Sequence, residues 1–342
     1  MDHIETDSPI PINAAEPGSF PHSLSLDIEP IATAIVFEGE SRVALRELPL
    51  TTPGADDVVV DVEWSGVSTG TEKLLFTSKM PAFPGLSYPL VPGYEAVGRI
   101  VQCDGDRARV GEQVFVPGAR CFEDAAGLFG GAASRLVVPA EKAVRIEFDN
   151  PQQATLLALA ATAHHAIAVG GAPDLVIGHG VLGRLIVRTV MAMGGAPPNV
   201  WELAPERSLA NKYVVMDPEF DGRDDYGAIC DASGDPNILD EAVPRMRPGG
   251  VVTLAGFYTE RLSFAFPPAF MKEAQFRIAA EWNAGDLDAV LALIADGKLS
   301  LDGLITHEAD PRCADDAYRT AFDDPECLKM ILDWRRIDGP AI

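Results

Sequence analysis

The segment that most constrains this chain lies near its middle. There, Asp174-Leu-Val-Ile-Gly178-His-Gly180-Val-Leu-Gly183-Arg-Leu-Ile-Val runs a short apolar strand pattern into a helical one through three spaced glycines. Glycines at this spacing are common alone. Set between a buried strand and a helix, they mark a turn on which the phosphates of a dinucleotide rest. Gly178 allows the tight turn, Gly180 lets the backbone approach the pyrophosphate, and Gly183 lets the helix lie on the sheet. Gly178, His179, Gly180, Val181, Leu182 and Gly183 are therefore the expected phosphate cradle.

Strand-like runs alternate with helical ones around this turn. The strands expected are Leu175–Ile177, Val200–Glu202, Val214–Met216, Ala228–Ala232, Val251–Gly256 and Phe276–Glu281. Six such strands suit a doubly wound parallel sheet. Glu202, 24 residues beyond Gly178, ends the next strand, where a carboxylate accepts hydrogen bonds from the adenosine ribose and repels a 2′-phosphate. That favours NAD over NADP. A solvated loop acid is the plainer alternative for Glu202, and Arg207 is either an exposed helix residue or the partner of a 2′-phosphate. Asp231, Ala232 and Ser233 follow the fourth strand, and Gly256 and Phe257 the fifth. Ligands in such sheets sit at the carboxyl ends of strands, so both turns are expected to border the cofactor.

The chain before this region has another texture. Short β-rich runs at Thr33–Phe37, Asp57–Trp64, Val97–Gln102, Gln113–Pro117 and Ser134–Pro139 are broken by Gly and Pro, the pattern of an antiparallel, partly barrel-like domain. Two amphipathic helices, Asp286–Asp296 and Pro311–Phe322, flank a β-like Gly303–His307, and this tail is assigned back to the first domain. Residues 1–30, rich in Pro, Ser and acid, read as a mobile tail. With 51 acidic against 27 basic residues, the formal charge of -24 opposes binding to nucleic acid and anionic membranes, although a local patch can still dock peripherally. No apolar stretch is long enough to span a bilayer. Five scattered cysteines without a C-x-x-C pair argue against a disulfide framework, and the start lacks a signal-peptide profile, so a cytoplasmic protein is expected.

The domain order, with Gly66-Val-Ser-Thr-Gly-Thr-Glu72, Pro92-Gly-Tyr-Glu-Ala-Val-Gly98, Gly111-Glu-Gln-Val-Phe115 and Arg247-Pro-Gly-Gly250, resembles the medium-chain dehydrogenase/reductase superfamily. The resemblance implies an α/β fold: a GroES-like antiparallel β-rich catalytic domain (residues 31–155 and 286–342) and a Rossmann cofactor domain (residues 156–285). It also implies a homodimer paired through edge strands of the cofactor sheets. The zinc-dependent branch carries Cys where this chain has Ser68, His where it has Tyr94, and a further Cys within Leu157-Ala-Leu-Ala160. A serine and a tyrosine do not replace thiolate and imidazole ligands, so no metal is expected. Longer strings, Asp61–Leu75, Ala160–Ile167, Phe264–Met271 and Cys327–Trp334, resemble the bacteriochlorophyllide a dehydrogenases of bacteriochlorophyll biosynthesis. That implies NAD-dependent oxidation of the 3-(1-hydroxyethyl) group of a chlorin or bacteriochlorin to 3-acetyl, with a tetrapyrrole as substrate. A zinc-free quinone or enone reductase and a non-catalytic NAD-binding sensor are the competing readings.

An alcohol that no zinc polarises needs a positioned proton acceptor and hydrogen-bond donors. Tyr94 is the first candidate, Glu95 and Glu72 can orient it or act as base, and Ser68 and Thr71 can donate. Structural roles stand beside these: ion pairing for Glu95, turn capping for Ser68 and Thr71. His164 and His165 lie on a helical run between the domains, and at most one is expected to face the cleft, against a core role for both. Phe264, Phe266 and Phe270, with Pro267 and Pro268, form the densest aromatic and proline group, expected to line a pocket for a flat macrocycle or else to serve core or dimer packing.

Overall fold

The computed structural model describes residues 31–82, 84–106, 109–209 and 212–337. The expected tail, residues 1–30, lies outside the described residues. In chain order the elements are β1 (Ile31–Gly39), β2 (Arg42–Pro49), β3 (Asp57–Val67), α1 (Thr71–Phe76), β4 (Ala96–Cys103), β5 (Gln113–Val116), β6 (Arg135–Pro139), β7 (Val144–Arg145) and α2 (Leu157–Gly170). Then follow β8 (Leu175–Ile177), α3 (Val181–Ala192), β9 (Asn199–Trp201), β10 (Val215–Met216), β11 (Tyr226–Asp231), α4 (Ile238–Ala242), β12 (Met246–Leu254), α5 (Phe266–Lys272) and β13 (Gln275–Ile278). The chain returns through α6 (Ala284–Ala295), β14 (His307–Ala309), α7 (Ala314–Asp323) and β15 (Met330–Asp333).

In the cofactor domain β8 to β13 make one parallel sheet in the order β10-β9-β8-β11-β12-β13. The chain reverses direction across the sheet between β8 and β11, so their carboxyl ends open the crevice in which such sheets bind ligands. β8 is buried throughout, as its apolar Leu-Val-Ile requires. α3 covers it with an apolar face that includes Leu185, Ile186 and Val190.

The other domain is built on β3, whose run of valines pairs with β4, β6 and β15. Three strands here, β2, β15 and the two-residue β7 beside β5, escaped the sequence reading. β2 alternates charged residues with apolar ones and forms a hairpin with β1. β15 is a short buried strand between β14 and β3 that only the sheet around it specifies. The β-like stretch expected at Gly303–His307 becomes a strand only at His307–Ala309.

The start of the return tail packs against both domains. α6 packs against α2, and its Leu287 and Val290, with Leu299, Leu301 and Leu304 beyond, share a core with α3 and with Trp64, Val97 and Phe115 of the β-rich domain. An apolar helix face goes where apolar surface is offered, and α2 offers it. This second core joins the two domains.

Candidate active site

The glycine turn has the geometry its sequence implied. Gly178 sits at φ +92°, and a Cβ at Gly183 would stand 1.9 Å from the Gly178 carbonyl oxygen, so α3 can lie on the turn only with glycine there. A Cβ at Gly180 would meet nothing nearer than the Arg207 guanidinium at 3.9 Å. No side chain caps α3, leaving its first N–H groups for an anion. The space, the donors and the adjacent cation fit a dinucleotide's pyrophosphate.

Around the turn, His179 is fully buried. Its Nδ1 meets the Arg207 carbonyl, its Nε2 lies 2.7 Å from the Tyr213 hydroxyl, and burial pulls its pKa down to about 4. Its backbone N–H donates to Glu202 Oε2 at 2.8 Å, while Glu202 Oε1 accepts from the Leu203 and Ala204 N–H groups. Glu202 is thus no free loop acid: three amides aim it at the mouth of the turn. Arg207, which the sequence suggested as an exposed helix residue, lies on a 3-10 turn and donates to the Pro325 carbonyl of the returning tail at 2.9 Å. The Asp231–Ser233 turn packs against Gly178, with Ser233 Cα 3.1 Å from where its Cβ would be. Asp231 is buried, accepts from the Ser233 hydroxyl at 2.7 Å and bonds the Tyr258 hydroxyl. Ala232 donates to the Ile177 carbonyl, and Gly256 closes on Gly234. Phe257, half-exposed, follows Gly256 past the end of β12.

The reaction-site candidates converge from three segments. Ser68 follows β3, Thr71 and Glu72 begin α1, and Tyr94 and Glu95 precede β4. The Tyr94 hydroxyl donates to Ser68 Oγ at 2.6 Å, and the Ser68 backbone N–H donates to Glu72 Oε1 at 3.0 Å. Burial, with Glu95 and Glu72 nearby, raises the Tyr94 phenol well above its ordinary value, so it stays protonated. Glu95 Oε2 forms an ion pair with Lys329 Nζ, both fully buried. Gly66 on β3 makes room, since a Cβ there would stand 2.2 Å from that oxygen. Burial raises the Glu95 carboxyl and the Lys329 ammonium opposes it. Glu72, also fully buried, rises to about 8, through burial first and then the Glu95 charge, against the Ser68 N–H.

Lys329 and Tyr318 are site residues that the sequence reading missed. The signal for Lys329 was a lone cation between Leu328 and Met330-Ile-Leu332, which a buried strand tolerates only with a partner. The donor set does not fit zinc: the Ser68 and Tyr94 hydroxyls bond each other and Glu95 holds Lys329. Among the described residues no three His, Cys, Asp or Glu side chains gather as metal ligands.

Two further groups of candidates have other partners. His164 and His165 share one. Both Nδ1 atoms meet one carboxylate, Asp286 Oδ1 at 2.7 Å and Oδ2 at 2.9 Å, tying α2 to the capping box of α6. A carboxylate has two oxygens to share, so neighbouring helical residues can converge on it. Phe264, Phe266 and Phe270 are not brought to the Ser68–Tyr94 site. They line an open groove of about 490 Å³ with Pro248, Met271 and Phe276, beside the edge strand β13.

Residues 54–148 match the alcohol dehydrogenase GroES-like domain. Over 312 residues the chain is 53% identical to the 2-desacetyl-2-hydroxyethyl bacteriochlorophyllide A dehydrogenase of Cereibacter sphaeroides, covering 89% of this chain and 98% of that protein. The protein of the same name from Rhodobacter capsulatus is 53% identical over 306 residues, 88% of this chain and 98% of the other. An Escherichia coli alcohol dehydrogenase solved with the cofactor NADH superposes with a TM-score of 0.76 at 24% identity, over 89% of this chain and 99% of that one.

Proposed function

This chain belongs to the bacteriochlorophyllide hydroxyethyl dehydrogenases, nicotinamide-dependent enzymes of the medium-chain superfamily, and on that premise we propose that it oxidises the 3-(1-hydroxyethyl) group of a chlorophyllide or bacteriochlorophyllide to 3-acetyl without a metal. The observation that carries the metal-free chemistry is the Tyr94–Ser68 hydroxyl pair, bonded at 2.6 Å at the positions where the family resemblance implies zinc ligands in the zinc-dependent branch. A nicotinamide cofactor held at the Gly178–Gly183 turn would supply the hydride acceptor for the carbinol carbon. The chain's own residues do the rest. Tyr94 and Ser68, with Thr71 beside them, orient the substrate hydroxyl and supply hydrogen bonds to the oxygen as its charge develops. Lys329 holds Glu95, and through it the backbone that carries Tyr94.

The cofactor preferred is NAD. The fixed Glu202 carboxylate presents negative charge where a 2′-phosphate would lie. The active form is a homodimer. Among the described residues β13 is an edge strand with one side unpaired, and Phe266, Phe270, Met271 and Ile278 around it are 65–74% exposed, an apolar face that a second subunit would cover. Residence in the cytoplasm accords with this reading, and no helix among the described residues is long and apolar enough to cross a membrane.

Purified protein, NAD and a hydroxyethyl chlorin pigment test the function directly. Nicotinamide absorbance should rise together with the shift of the chlorin band that accompanies 3-acetyl formation. Reduction of quinones or enones by NADPH without pigment oxidation would favour a reductase, and NAD binding with no turnover would favour a sensor.

A further inference from the structure

Oxidation of an alcohol releases a proton as well as a hydride, and the groups nearest the reaction cannot keep it. Tyr94 stays protonated, so its hydroxyl can pass a proton on but not store one. Glu95 is bound to Lys329, and protonating it would break a buried ion pair. His164 and His165 are committed to Asp286. Glu72 differs from all of these. Its Oε1 is held by the backbone N–H of Ser68, the residue whose Oγ accepts from Tyr94, and its Oε2 is buried without a hydrogen-bond partner. The Tyr318 hydroxyl, likewise buried and unpartnered, faces it from α7. A buried oxygen with no partner is costly unless it carries a proton that finds one.

We propose that Glu72 is the terminal proton acceptor of the oxidation, acting through Ser68 and Tyr94 without touching the pigment. The inference rests on the reading above. As the hydride and its electron pair leave carbon, the substrate O–H bond breaks and its proton passes to Tyr94 Oη, whose own proton moves to Ser68 Oγ. In the same concerted movement the Ser68 hydroxyl, turned about its Cα–Cβ bond, gives its own proton to the carboxylate that its backbone already contacts, so that no hydroxyl carries a second proton. One O–H bond is lost on the alcohol and one is formed on Glu72, which later returns the proton to solvent. The titratable groups facing Glu72 are Glu95 and Tyr94 before β4, Lys329 before β15 and Tyr318 on α7. Burial above all, and then the Glu95 charge, raise the acid to about 8, and the Glu95–Lys329 pair leaves the cluster without net charge when Glu72 is protonated.

Two measurements on wild type and Glu72→Gln test this. The amide can still accept from Ser68 N–H and donate toward Tyr318, which preserves the fold. In wild type, kcat/KM for pigment oxidation should rise with pH through about 8 and then level, and Glu72→Gln should flatten that limb and lower turnover about 100-fold. The second measurement is unfolding by denaturant across pH. Glu72 binds its proton more tightly folded than unfolded, so the stability tied to that proton is complete below about pH 4.5 and lost once pH passes about 8. That loss should vanish in Glu72→Gln. If wild type turns over pigment and Glu72→Gln keeps both the limb and the rate, the proposal is overturned while the function stands. If wild type oxidises no hydroxyethyl pigment, the functional reading fails and takes the proposal with it. Should Glu72→Gln not fold, Tyr318→Phe decides: losing the hydroxyl that favours ionised Glu72 should move the limb to higher pH, and an unmoved limb overturns the proposal.

Discussion

The cofactor turn and the reaction site are built on opposite principles. The turn is local. Three glycines within six residues set its shape, its contacts are backbone to backbone, and what matters is where side-chain atoms are missing. The reaction site is assembled from α1, the approach to β4, α7 and the approach to β15, and what matters is charge: two carboxyls and one ammonium sealed from water. A steric design fails when an atom is added, and an electrostatic one when a charge loses its partner.

That contrast is open to attack from both sides. The severest loss is expected at the reaction site, because Lys329→Met leaves Glu95 buried and unpaired. Unfolding by denaturant should record about 3–5 kcal/mol of destabilisation. Adding Glu95→Gln should restore much of it, and a Lys329→Met protein as stable as wild type would show that the pair does not hold the site. At the turn, Gly183→Ala adds a single methyl group against the Gly178 carbonyl. Overpacking of this kind costs about 1–3 kcal/mol, and calorimetric titration should show weakened NAD together with a lower Tm. An unchanged Tm would mean that α3 can lift from the turn and that its close approach is not required. The mildest effect belongs to Glu202→Ala, which removes an acceptor but no packing. NAD should weaken about tenfold, or about 1.4 kcal/mol, and the gap to NADP should narrow. Wild type that prefers NADP would reverse the role given to Glu202.

How much of each region could be read in advance follows from the same contrast. Gly178, Gly180 and Gly183 were legible because their meaning lies in one strand, one turn and one helix. Glu202 was legible by its distance from them. Ser68, Tyr94, Glu72 and Glu95 were legible only as candidates, through positions where a related branch carries metal ligands. Lys329 lies 234 residues from Glu95, and no local pattern joins them. For the two histidines both a cleft role and a core role stood open, because helix geometry says where neighbouring side chains start and not where a bridging carboxylate will stand. The phenylalanines misled because an exposed sheet edge and a ligand cleft call for the same residue types.

By itself the sequence determined the two-domain α/β plan, the parallel sheet, the phosphate turn and the absence of thiolate and imidazole at the metal-ligand positions, all matters of residue type at short range. Tertiary structure alone decided that Glu95 would meet Lys329, that Glu72 would be buried without a cation of its own, and that the histidines would share Asp286. Burial and electrostatic pairing depend on which distant segments exclude water together, and that is settled only when β15 and α7 close over β3 and α1.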